Sequence, residues 1–66
     1  MILLDEYSGK TKHGSHFRMQ VWMNHHGAFE GHVFILRNRR IFSTYDQTVR
    51  RTAEKVAIRR AEKAGY

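Results

Sequence analysis

The sequence predicts an α+β domain. It has a three-stranded antiparallel sheet, a fourth strand available from the N-terminal segment, and one C-terminal helix packed on one sheet face. Three observations predict it. Residues 17–24, FRMQVWMN, alternate apolar and polar side chains with a period of two, the mark of a half-buried strand. The segment FEGHVFILR follows the spacer HHGA and is rich in β-branched and aromatic residues. Val49, Ala53, Val56, Ala57 and Ala64 recur at helical spacing between Asp46, a residue suited to an N-cap, and Gly65, suited to a C-cap.

Residues 2–7, ILLDEY, read as a short strand or an ordered arm, and residues 8–16, SGKTKHGSH, as a loop with no apolar side chain. Residues 1–16 thus form an arm and loop, 17–45 the sheet and 46–64 the helical segment of one domain. A three-residue loop His25-His26-Gly27 puts Gly27 where such hairpins require a left-handed residue. Pairing then sets Met23 against Phe29, Val21 against Gly31, Met19 against Val33 and Phe17 against Ile35. A slip of one residue would oppose Val21 and His32, so this register is preferred. A second tight turn at Asn38-Arg39 leads into RIFSTY. The helix runs from about residue 47 to 64. Its alanine-rich seam allows a close approach to the sheet.

A chain of 66 residues leaves no room for a second core. Domains of this size bury only about 60% of their unfolded surface and gain from disulfides, metals or partner subunits. With no cysteine, disulfides and thiolate metal sites are excluded, and with no proline the turns fall to Gly, Asn, Asp and Ser. The net charge of +6 suits an anionic partner: nucleic acid, an acidic protein surface or a membrane face. The opening MILLDEYSGK lacks the features of a signal peptide, and no apolar run is long enough to span a membrane, so the expectation is a cytoplasmic protein.

One helix covers one sheet face. The register leaves Arg18, Gln20, Trp22, Glu30, His32, Phe34 and Leu36 on the other, with Arg37, Arg39 and Arg40 at the adjacent turn. Such a face serves a homodimer through Trp22 and Phe34, packing by the ILL arm, a hot spot for another protein, or a nucleic-acid platform. In the last case aromatic side chains stack on bases and arginines contact phosphates. The helix adds a ladder, Arg51, Lys55, Arg59 and Lys63, at intervals of four residues. Like charges so spaced destabilise a helix by about 0.2–0.5 kcal/mol per pair. The helix dipole accounts for Arg59, Arg60 and Lys63 near the C-terminal end, but not for Arg51 or Lys55. The seam is mostly alanine, with nothing large to insert, so membrane binding is not expected.

The histidine pairs His13/His16 and His25-His26 lie in loops and fall short of the ligand number of a zinc site, so no metal or other cofactor is expected. HGAFEGH lacks the lysine and spacing of a phosphate-binding loop, and there is no cysteine nucleophile, so the residues do not favour an enzyme.

Over residues 17–64 the order of elements resembles that of AP2-type and integrase arm-binding DNA modules, in which the sheet enters the groove. The resemblance lies in layout alone. The size and charge also suit small phage- or plasmid-encoded inhibitors such as anti-CRISPR proteins. The sequence therefore leads to a non-enzymatic nucleic-acid-binding module. Arg18, Trp22, Phe34, Arg37, Arg39 and Arg40 form its primary surface, and Arg51, Lys55 and Arg59 a second line. The alternative is a small inhibitor or adaptor that meets an acidic or nucleic-acid-binding protein.

Overall fold

The computed structural model describes residues 1–66. It contains β1 (Ile2–Lys10), β2 (His16–Met23), β3 (Phe29–Ile35), β4 (Ile41–Gln47) and α1 (Arg50–Lys63). The four strands form an antiparallel meander in the order β1-β2-β3-β4. The N-terminal segment is thus a full strand rather than an arm. Its sequence alternates poorly because β1 is an edge strand, exposed along most of its length, with Tyr7 and Gly9 less exposed. A bulge between Leu3 and Asp5 further breaks its period.

The β2–β3 register is the one the apolar pattern selects, with Phe17 opposite Ile35, Met19 opposite Val33, Val21 opposite Gly31 and Met23 opposite Phe29. The connecting loop puts Gly27 at φ +74°, and Asn24 Oδ1 accepts the His26 and Ala28 amides at 2.9 and 3.1 Å. The β3–β4 turn is wider than a two-residue turn. Ile35 N–H donates to Arg40 O at 2.8 Å, and Arg39 takes the left-handed conformation at φ 62°.

Phe17, Met19, Val21, Val33, Ile35, Ala57 and Ala61 form the buried core, flanked by Tyr7, Phe42, Ile58 and Tyr66. The helix lies close to the sheet because both surfaces are small at the crossing. A Cβ on Gly31 would stand 2.6 Å from the Ala53 carbonyl oxygen. The buried seam is Ala53, Ala57 and Ala61 at intervals of four; Val49 and Ala64, which helical spacing had assigned to it, are exposed.

Both helix ends answer the sequence reading, in opposite senses. Asp46 does not cap the helix: it lies in β4 at φ 53°, and its carboxylate accepts from Asn24 Nδ2 at 2.6 Å. The strand continues two residues past Tyr45, so the helix starts later and Val49 occupies the N-cap with no side-chain hydrogen bond. The C-terminus is a Schellman closure. Gly65 at φ +97° lets Tyr66 N–H reach Ala61 O at 3.0 Å and Gly65 N–H reach Glu62 O at 3.0 Å.

Candidate functional site

The meander brings the β1–β2 turn, the β3–β4 turn and the end of α1 to one end of the molecule. Tyr66 ties them together. Its carbonyl accepts from the Thr11 hydroxyl, its own hydroxyl accepts from Asn38 Nδ2 at 2.6 Å, and the Arg37 guanidinium stands 5.0 Å from its ring centroid. Arg40 lies 5.6 Å from the Phe42 ring and 5.9 Å from Tyr66. Across the first turn, Leu36 N–H donates to His16 O at 3.1 Å. Thr11 and Ser15, in what the sequence shows only as a polar loop, are buried there, and Ser15 N–H donates to Thr11 Oγ1 at 3.1 Å.

This end collects Lys10, Lys12, Arg37, Arg39, Arg40, Arg59, Arg60 and Lys63. The single acidic side chain among them is Glu62, whose carboxylate accepts the Lys12 amide at 2.8 Å. Asp5, Glu6, Glu30, Asp46 and Glu54 lie in the middle or toward the β2–β3 turn. The domain is therefore a charge dipole with a basic pole built from three segments distant in sequence. Beside that pole, Gly14, Ser15, His16, Leu36 and Arg37 line a hollow of about 380 Å³.

The residues that the sequence assigned to a primary surface and a second line fall into three places. Arg37, Arg39 and Arg40 belong to the basic pole, with Arg59 one turn before the helix end. Arg18, Trp22 and Phe34 share the uncovered sheet face. Arg51 and Lys55 are exposed on the helix side turned away from the alanine seam, across the domain from that face. The turn arginines thus do not flank the Trp22 face, because Arg37 and Arg40 fold toward Tyr66 and Phe42 on the helix side of the sheet.

The uncovered face is almost charge-balanced. Glu6 accepts from Arg18 Nη2 at 3.1 Å and from Gln20 Nε2 at 2.7 Å; these bonds, Arg18 first, hold its carboxyl below the ordinary carboxylate range. The same bond to Glu6 raises the Arg18 pKa. Trp22 Nε1 donates to Gln20 Oε1 at 3.1 Å. His32 bridges Glu30 Oε1 at 3.1 Å and Ser43 Oγ at 2.7 Å, with Tyr45 edge-on at 5.5 Å. Arg18 is therefore satisfied within the sheet by a residue of the strand that the sequence left undecided. No signal in the sequence pairs Glu6 with Arg18 until β1 is placed beside β2. Likewise Arg50 reaches Glu54, four residues on in the helix, at 3.5 Å, and Asp5 of β1 at 2.9 Å.

No cluster of three or more His, Asp or Glu side chains is arranged to hold a metal ion, and no helix is long and apolar enough to cross a membrane. Compared with protein-family models, curated proteins and solved structures, the chain shows no significant match.

Proposed function

We propose that the protein is a small non-enzymatic nucleic-acid-binding module, acting in the cytoplasm, that holds phosphates with its basic pole. The observation that carries this reading is the gathering of Lys10, Lys12, Arg37, Arg39, Arg40, Arg59, Arg60 and Lys63 toward one end of the molecule, where Arg37 and Arg40 lie against Tyr66 and Glu62 is the one acidic side chain. Like charges gathered at one end raise the free energy of the fold; the phosphates of an anionic polymer offset that repulsion, and the counterions they release add a salt-dependent driving force. Arginine stacked on an aromatic ring keeps its N–H edge free to donate to phosphate oxygens. Arg37 over Tyr66 has this arrangement. The sheet face that the sequence favoured as the primary surface has Arg18 neutralised by Glu6, so it offers little net attraction to phosphate.

Titration with duplex and single-stranded oligonucleotides across a salt series tests the reading. The expected log–log slope is about −0.9 for each phosphate neutralised on duplex DNA. Absence of binding at low salt to either form refutes it.

A second reading has one observation in its favour. Leu36, Ile41, Tyr45 and Val49 are more than half exposed, more apolar surface than phosphate contact uses. An inhibitor or adaptor of phage or plasmid origin, meeting an acidic protein, would use both features. Recovery of one stoichiometric, nuclease-resistant partner from the native host would favour that reading over the first. Self-association through the Trp22 and Phe34 face is compatible with either.

A further inference from the structure

We infer that the uncovered sheet face joins two copies of this chain antiparallel, so that the two basic poles project in opposite directions and the pair bridges two nucleic-acid segments. The bridging rests on the function proposed above; the dimer does not.

The face carries two apolar clusters, half-buried Trp22 beside the more exposed Leu3 toward one end and half-buried Phe34 beside Ile41 toward the other. Gln20 and His32 lie between them, with exposed Tyr45 edge-on to His32. These groups have no covering element, because the only helix lies on the other side. The chain carries +6, so two copies repel through most approaches. Here the charges cancel without the histidine, Lys10 and Arg18 against Glu6 and Glu30, with Arg18 bonded directly to Glu6. That local neutrality favours a second copy as the occupant, since a polyanion gains nothing from it.

Charge also selects the orientation. On this face Lys10 and Arg18 lie toward the basic pole, and Glu30 lies toward the other end with Asp46 at the rim. Antiparallel stacking sets the Lys10 and Arg18 end of each copy over the Glu30 and Asp46 end of the other, and parallel stacking opposes like charges. Four strands at about 4.8 Å and seven residues at about 3.3 Å give a flat footprint of roughly 440 Å² before side-chain relief. That is below the roughly 800 Å² per partner of a standard interface, so the dimer is reversible and concentration-dependent.

The chain has no cysteine, so single-cysteine labelling is unambiguous. Light scattering across a concentration series should show the mass rising from monomer to dimer. Tyr45→Lys and Trp22→Lys should each keep the far-ultraviolet spectrum and remain monomeric. Tyr45, 57% exposed, is the variant least able to disturb folding. Spin labels on Lys10→Cys should lie about 25 Å apart or more across the dimer, the length of an eight-residue strand. Capture of a labelled duplex by a bead-bound duplex should fall at least about tenfold in Tyr45→Lys, with binding to a single duplex retained.

A native mass that stays monomeric at every concentration overturns the dimer, as does protection of Trp22 by an oligonucleotide in a monomer. A dimer with close Lys10 labels overturns the antiparallel arrangement. A dimer with distant labels that binds no nucleic acid supports the interface and overturns the bridging together with the proposed function. A monomer that binds nucleic acid overturns this inference and leaves that function standing.

Discussion

Gly31 sets how near the helix comes to the sheet. It lies mid-strand, where glycine is ordinarily unfavourable, yet any β-carbon would meet the Ala53 carbonyl oxygen at 2.6 Å. Backbone cannot step aside as a side chain can, so Gly31→Ala is expected to destabilise the fold by about 1–3 kcal/mol, measured by denaturant midpoint. Tyr7 holds the other flank. Burial pushes its phenol pKa well above the ordinary value, and the bond it donates to Glu54, with that carboxylate's charge, adds to the shift. A folded pKa above the unfolded one means the native state retains the proton longer. The stabilisation is therefore complete below about pH 10 and is lost as pH rises beyond it. Alkaline unfolding curves of the native chain and Tyr7→Phe should converge as pH rises through that window. Parallel curves would show that Tyr7 does not couple to stability.

The helix is asymmetric as an element. Its C-terminus is closed by Gly65 and complemented by Arg60 and Lys63, whereas its N-terminus has neither a side-chain cap nor an acid in the first turn. Arg50 is tied down by Asp5 and Glu54, but Arg51 faces solvent at the positive end of the dipole. Val49 already has the extended backbone of an N-cap, φ −120° and ψ 126°, and its side chain is exposed. Val49→Asp should therefore raise stability by about 0.5–2 kcal/mol, observed as a higher thermal midpoint. The strands show the complementary case. β2 and β3, in the middle of the sheet, alternate visibly because one face meets the core. β1 hides its strand character because an edge strand needs polar and charged groups to resist unwanted pairing.

At the scale of the whole molecule the governing feature is the separation of charge. The Cα envelope is 32 × 17 × 15 Å, so the poles are separated by several Debye lengths at physiological salt. Reversing Arg37, Arg39 and Arg40 together to Glu should abolish oligonucleotide binding and leave the circular dichroism spectrum unchanged, since all three are exposed. Reversing Arg51 and Lys55, which lie away from the basic pole, should leave the salt slope nearly unaltered. A helix ladder that mattered more than the turn would give the opposite ranking in the same titration. The ladder is then a solvated face from Arg51 to Lys55 and part of the pole only from Arg59 onward.

The sequence by itself determined the β2–β3 register, the glycine hairpin, the existence of the helix and its glycine closure. Each follows from local periodicity or from a backbone conformation that one residue type favours. It determined which side chains leave the core, and so placed Arg18, Trp22 and Phe34 together on the free face. Only the tertiary structure decided what those side chains meet. Glu6 reached Arg18, Asp46 turned to Asn24 rather than to the helix, and Arg37 and Arg40 folded back over Tyr66. The basic pole was invisible for the same reason. Its charges come from two turns and a helix end, and strand topology rather than sequence distance brings them together. Periodicity tells which way a side chain points from its own element, whereas electrostatics depends on the distance between elements, and that distance is set when the sheet closes and the helix packs against it.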